Sequence, residues 1–159
     1  MLIGHEFLES KQIDSAIEAY NYAIMCNPKK KGGWYGIGQA YELQNFHHYA
    51  IFYYNKAVTA DPKDSRMWAA LGNCYEQIGK VMDAVRCYER ALKTGDREGG
   101  VLMNMAFLYD QMGQVEKAVY CMEQNLMRTD GRGIDKQIAK SMRYLAHYYK
   151  NIGEHQKAI

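Results

Sequence analysis

The sequence repeats itself at an offset of 34 residues. The stretch WYGIGQAYE begins at Trp34 and recurs as WAALGNCYE from Trp68, and Gly38 and Gly72 share the same offset. A period of this size is typical of helical-repeat proteins, in which each unit buries its apolar face against a neighbouring unit. The repeat therefore restricts the fold more than any other feature of the chain.

The units share one order of residue types: an aromatic residue, then Leu or Ile, then a small residue, then Tyr, and later two alanines that flank an aromatic residue. Repeat four departs from this order at Met122 and Asn125. Two further sets of residues are spaced 34 apart: the tyrosines Tyr41, Tyr75 and Tyr109, and the alanines Ala16, Ala50, Ala84 and Ala118. This order is the tetratricopeptide signature of two antiparallel helices per unit. We therefore predict an all-α fold, a right-handed tetratricopeptide superhelix of about four to five helix-turn-helix repeats.

The alignment treats residues 1–159 as a single tetratricopeptide array. Its repeats lie at about 1–30, 31–64, 65–98, 99–132 and 139–159, with a loop insertion near 129–138. The first and last repeats are incomplete and no polar capping unit is visible, so we expect a segment of a longer array.

The composition excludes several classes of function. Twenty basic against eighteen acidic residues give a formal net charge of +2, which offers no electrostatic reason for a nucleic-acid or membrane partner. The four cysteines form no CxxC motif, which favours a reducing, intracellular compartment. His47 and His48 have no nearby Cys, so no metal ligand is assigned, and no nucleophile with its base indicates an enzyme or a cofactor.

The candidate binding surface is a stripe on the first helix of each repeat. Positions five, nine and twelve lie about 100° round the helix from the buried stripe, on the side that lines the concave groove in tetratricopeptide arrays. The predicted groove residues are Tyr35, Gln39, Glu42, Asn73, Glu76 and Asp110. Position twelve holds a carboxylate in three successive repeats, and such an acidic ladder suits an extended peptide that carries Arg.

An alternative explanation is that helix surfaces are rich in Glu and that the repeats share an ancestor, so the three carboxylates are ordinary solvated residues. On the binding interpretation, reversing the charge at Glu42 or Glu76 weakens peptide binding but leaves thermal stability almost unchanged, because position twelve borders the groove. This contrast separates the binding interpretation from that of a solvated surface.

Several stretches go beyond the general repeat pattern, among them IGHEF, AIEAYNYAI, DPKDSRMWAALGNCYE and RYLAHYYK. In these the chain resembles the tetratricopeptide scaffold subunits of the anaphase-promoting complex, the subunit-eight family of the cell-division-cycle-twenty-three type. The resemblance covers essentially the whole chain. The stretches DSRM, from Asp64, and RYLAHYY, from Arg143, are not dictated by the repeat signature.

The resemblance implies a non-catalytic scaffold in a cell-cycle ubiquitin ligase, nuclear and cytoplasmic, that contacts other subunits of the complex. It also implies that the groove receives a basic motif from a coactivator, and that the full-length protein is a homodimer. A generic tetratricopeptide adaptor, such as a chaperone cofactor, is the alternative. Carboxylate clamps of that class need Lys and Asn at positions five and nine, where this chain has Tyr35 with Gln39 and Ala69 with Asn73.

Overall fold

A computed structural model describes residues 12–96, 100–128 and 136–153 of the chain. Within them lie eight α-helices and no strand: α1 Ile13–Cys26, α2 Lys31–Leu43, α3 His47–Ala60, α4 Ser65–Gln77, α5 Val81–Lys93, α6 Gly100–Gln111, α7 Val115–Arg128 and α8 Lys136–Asn151. The start of the first predicted repeat, residues 129–135 of the insertion predicted near 129–138, and the end of the last repeat lie outside the described residues; residues 136–138 begin α8. The all-α prediction is confirmed.

The chain divides into two compact units, Met1–Gly95 and Asp96–Ile159. In the first unit, α2 packs chiefly against α3 and α4 against α5, with further contacts of α1 with α2 and of α3 with α4. In the second unit, α6 packs against α7 and α7 against α8. No helix in the described part of the chain has the length and apolarity that crossing a bilayer requires.

The turn after each first helix depends on one residue with a left-handed backbone. Asn45, Gly79, Gly113 and Gly153 have φ angles of 61°, 76°, 72° and 76°. Gly and Asn are the residues that adopt this conformation at the lowest energetic cost. A left-handed residue ends a helix and redirects the chain within a few residues. After Gly79, for example, the Lys80 N–H donates to the Tyr75 carbonyl at 2.9 Å. The turn allows the second helix to fold back along the first.

The two helices of a repeat approach closely because a tyrosine ring lies over a glycine. A Cβ added at Gly38 would lie 2.5 Å from the Tyr54 ring, and one added at Gly72 would lie 2.6 Å from the Tyr88 ring. Both tyrosines are completely buried. A methyl group at either glycine would therefore force the helices apart or push the ring from its place.

The fourth repeat replaces both partners of this contact. Ala106 occupies the position of the glycine and Met122 that of the tyrosine, and both side chains are buried. A flexible Met side chain adapts to the added methyl group, which a rigid aromatic ring does not.

The tryptophan of a repeat donates a hydrogen bond to the proline that closes the preceding repeat. The Trp34 Nε1–H donates to the Pro28 carbonyl at 2.8 Å, and the Trp68 Nε1–H donates to the Pro62 carbonyl at the same distance. At the next junction Asp96 takes the place of the proline. The boundary between the two compact units falls at this substitution.

An ion cluster joins the start of α2 to the start of α4. The Lys31 ammonium lies 2.5 Å from an Asp61 carboxylate oxygen and 2.9 Å from one of Asp64. Asp64 also caps α4 by accepting the Arg66 backbone N–H at 3.1 Å. Hydrogen bonds from Arg66 and Lys31 lower the pKa of Asp64 to about 2, so its carboxylate is charged at neutral pH. The first helices of repeats two and three are thereby tied at their N-terminal ends.

The glycine and tyrosine contact predicts a coupled pair of substitutions. Gly72→Ala should reduce the free energy of unfolding by about 1–3 kcal/mol, because the new methyl group overlaps the Tyr88 ring. The same change made in a Tyr88→Met background should cost clearly less, since that pair reproduces the Ala and Met combination of the fourth repeat. Urea unfolding of the four proteins in the cycle measures the coupling, and simple additivity would contradict this packing.

Candidate functional site

All three predicted carboxylates occupy the same place in the fold. Glu42, Glu76 and Asp110 are each the penultimate residue of a first helix, in α2, α4 and α6 respectively. Negative charge in the last turn of a helix is disfavoured by the helix dipole. The carboxylates therefore need a compensating donor, and the structure supplies one in each repeat.

In repeat two the donor is a buried tyrosine. The Tyr54 hydroxyl donates a hydrogen bond to Glu42 Oε2 across the interface between α2 and α3. Burial, followed by the charge of Glu42, raises the pKa of Tyr54 above its usual value, so the hydroxyl keeps its proton and remains a donor. The Tyr35 ring lies beside it, with 5.5 Å between the two ring centroids.

Repeat three has the same arrangement with an additional member. The Tyr88 hydroxyl lies 2.8 Å from Glu76 Oε2 and 2.7 Å from Asn73 Oδ1. The Tyr88 hydroxyl has one proton, so it donates to the Glu76 carboxylate and accepts a hydrogen bond from Asn73. Asn73 donates this bond when its side-chain amide is rotated by 180°, which places the NH2 group where the oxygen was. Asn73 and Glu76, both predicted as groove residues, are thus brought together by one buried tyrosine.

We call the hydrogen bonds of Tyr54 with Glu42 and of Tyr88 with Glu76 the tyrosine latches. Each tyrosine stands twelve residues after its glutamate and sixteen after its glycine, so the ring that lies over Gly38 or Gly72 also fixes the carboxylate one helical turn further on. Helix packing and carboxylate orientation therefore depend on the same side chain.

Asp110 has a different partner. Met122 stands twelve residues later and offers no hydroxyl. Instead, the Tyr144 hydroxyl of α8 donates to Asp110 Oδ1 at 2.5 Å, and burial together with Asp110 raises the pKa of Tyr144 to about 12. Asp110 lies in the second compact unit, so the extension of the acidic ladder from Glu76 to Asp110 stays a prediction.

The predicted groove residues differ in exposure. Tyr35, Gln39, Glu42 and Glu76 are half-buried, whereas Asn73 and Asp110 are exposed. Burial, followed by the charge of Glu42, raises the pKa of the buried Cys74 thiol of α4 to about 12. A carboxylate has about four acceptor positions, and a latch uses one, so each glutamate retains capacity for a ligand.

The sequence did not reveal the latches, although it contained a signal for them. Glutamate and tyrosine recur together twelve residues apart in repeats two and three. The expectation that replacing these carboxylates leaves stability unchanged has to be revised, because each accepts a hydrogen bond from a buried hydroxyl.

The cysteines Cys74 and Cys87 are both buried. Burial raises the pKa of both Cys74 and Cys87 to about 12, so these thiols are protonated and poor nucleophiles at neutral pH. Across 12–96, 100–128 and 136–153, no three His, Cys, Asp or Glu side chains are grouped as a metal ion would need.

Comparison with known proteins identifies the class of repeat. Two family models, both described as tetratricopeptide repeat, match residues 1–65 and 53–86. The chain is therefore an array of tetratricopeptide repeats, as the sequence predicts. Tetratricopeptide repeats bind other proteins, and the chain is accordingly a protein-interaction module.

Two solved structures share this fold. Crystal structures of MamA superpose with TM-scores of 0.82 at 21% sequence identity, each over 99% of this chain and over 89% and 83% of the respective MamA chains. At this identity the likeness concerns the fold alone. Among curated proteins, no sequence matches this chain.

The latches predict a measurable contribution to stability. Tyr88→Phe removes the donor to Glu76 and should lower the free energy of unfolding by about 1–2 kcal/mol, because the lost hydrogen bond has a charged acceptor. Glu76→Gln keeps an acceptor for the hydroxyl and should cost less than about 1 kcal/mol.

The matched control is Glu89→Gln on the exposed surface of α5, which should leave stability unchanged. Urea unfolding at pH 7 measures all three variants. If Tyr88→Phe unfolds at the same urea concentration as the unaltered protein, the latch makes no net contribution and this interpretation of the hydrogen bond is wrong.

Proposed function

We propose that the first helices of repeats two and three bind an extended basic peptide, with an arginine of the peptide on Glu42 or Glu76. The observation that carries the proposal is the latch. It holds each carboxylate in one orientation through a buried, protonated tyrosine and leaves the remaining acceptor positions open.

The position of the carboxylates supports a binding role over an ordinary solvated surface. A helix gains nothing from Glu in its last turn, where the dipole disfavours negative charge. A guanidinium pairs with a carboxylate through two parallel hydrogen bonds, and pairing costs less entropy when the carboxylate is already oriented. Glu42 and Glu76 are only half-buried. An ion pair between either of them and the arginine therefore contributes more binding free energy than an exposed surface pair and less than a fully desolvated pair.

The neighbouring groove residues suit the rest of such a peptide. The half-buried Tyr35 ring, whose centroid lies 5.5 Å from that of Tyr54, would stack with a side chain of the peptide. Gln39 and Asn73 carry amides that hydrogen-bond to an extended peptide backbone. Asp110, in the second compact unit, holds the equivalent position of the fourth repeat.

We further propose that the chain is part of a scaffold subunit of the anaphase-promoting complex, with a coactivator as the source of the basic motif. The support is the sequence resemblance in DSRM and RYLAHYY, together with an acidic groove on tetratricopeptide helices. On this proposal the full-length protein works in the nucleus and cytoplasm, forms a homodimer and contacts other subunits of the ligase. Purification of the full-length protein with those subunits would support the assignment, whereas recovery of chaperones alone would favour the adaptor alternative.

Calorimetry with a coactivator-derived arginine peptide tests the groove. Glu42→Gln and Glu76→Gln remove the charge but keep an acceptor for the tyrosine, so they separate binding from folding. We expect at least one of these variants to bind the peptide about tenfold to a hundredfold more weakly, which corresponds to a loss of about 1.4–2.8 kcal/mol in binding free energy.

Two controls accompany this measurement. Glu89→Gln should bind like the unaltered protein, and a peptide with Ala in place of Arg should bind about equally weakly to all variants. Unchanged affinity for the arginine peptide in both groove variants would remove Glu42 and Glu76 from the site. Preference for a peptide with a free C-terminal carboxylate would favour a chaperone-type clamp.

A further inference from the structure

A second surface of the first unit is unusually aromatic. Phe46, at the start of α3, and Tyr49 and Phe52 within it are 53%, 61% and 56% exposed. They recur at intervals of three residues, so their side chains form one row, which we call the aromatic ridge. Phe52 lies about 200° round the helix from the buried Tyr54, on the side of α3 opposite the latch, whereas Tyr49 stacks on Tyr41 of α2.

The repeat does not need aromatic residues at these positions. In α5, the equivalent helix of the next repeat, Asp83 and Arg86 stand where α3 has Tyr49 and Phe52. They form an exposed ion pair at 3.5 Å. Since the next repeat forms the same helix pair with two charged residues there, the repeat fold does not require aromatic residues at these two positions.

A stack of partly buried rings holds the ridge in place. The Tyr41 ring is stacked on both Tyr49 and Tyr53, with 5.4 Å between centroids in each case. Phe46 meets Tyr49 edge-on at 6.3 Å, and Phe52 meets Tyr53 edge-on at 5.2 Å. Rings fixed in this way lose little conformational entropy when a partner covers them.

The helix that carries the ridge contains no acidic residue. From residue 43 to residue 60 the sequence contains no Asp or Glu. Lys56 is exposed and its ammonium lies 5.7 Å from the centroid of the Phe52 ring, and His48 is exposed next to Tyr49. A partner that covers the rings therefore meets positive charge at the Lys56 end, and a carboxylate there is favoured.

We propose that the aromatic ridge docks an amphipathic helix of another protein, with aliphatic or aromatic side chains on the rings and an Asp or Glu beside Lys56. A row of side chains three residues apart along one helix leaves grooves that accept the side chains of a second helix. This surface is separate from the latch carboxylates, so the helix and the basic peptide bind independently.

A selection experiment tests the ridge and the chemistry of its partner together. A display library of random peptides of about 20 residues, enough for about five helical turns, is panned on the protein with counter-selection on Tyr49→Ser/Phe52→Ser. The enriched peptides should carry apolar residues at three- and four-residue spacing together with Asp or Glu. Measured by fluorescence anisotropy, they should bind the double variant at least about tenfold more weakly than the unaltered protein.

The matched control is Tyr120→Ser. Tyr120 is 61% exposed and stands at the same repeat position as Phe52, but on α7, beside Glu116 and Glu123. This variant should keep the affinity of the unaltered protein. Lys56→Glu, which changes an exposed residue, should weaken binding of the acidic peptides by about tenfold without loss of the helical circular dichroism signal. If the double variant does not fold, this single variant tests the proposal instead.

Three results would overturn the proposal. The selection could yield no peptide that distinguishes the protein from its double variant, or only peptides without carboxylates. Tyr120→Ser could weaken binding as much as the double variant does. Sedimentation could show that the unaltered protein self-associates and the double variant does not, in which case a second copy of this chain, rather than a foreign helix, covers the ridge.

Discussion

The structure of each central repeat depends on one tyrosine of the second helix. Its ring occupies space that only a glycine on the first helix leaves open, and its hydroxyl reaches the carboxylate one turn beyond that glycine. The apolar part of the side chain sets the distance between the helices, and the polar part sets the orientation of the acid. Packing and recognition are therefore coupled: a substitution that shifts the ring also shifts the carboxylate, even when the carboxylate itself is untouched.

This coupling explains how a small repeat can combine a close-packed core with a charged groove. A glutamate near the end of a helix is unfavourable on electrostatic grounds, and a buried hydroxyl is unfavourable without a partner. Each group satisfies the other. In the fourth repeat the tyrosine is lost, and Asp110 then accepts from Tyr144 of the following helix. The carboxylate at this position has a tyrosine donor in all three repeats, although the donor comes from different helices.

The sequence predicted the helix pairs well, because a 34-residue period with small and aromatic residues in fixed order is compatible with few folds. It also selected Glu42 and Glu76 from their helical spacing. It could not predict the latches, since a hydrogen bond between two helices depends on the rotamers and separation of both. The aromatic ridge was missed for another reason: α3 is apolar on most sides, so its sequence does not show which of its rings are buried.

The central claim is that latched carboxylates on the first helices receive an arginine. A crystal structure of the protein with a bound arginine peptide tests it most directly. The account predicts a guanidinium within hydrogen-bond distance of the Glu42 or Glu76 carboxylate, while the corresponding tyrosine hydroxyl still donates to the same carboxylate. An arginine bound elsewhere, or a glutamate that has left its tyrosine to reach the peptide, would contradict it.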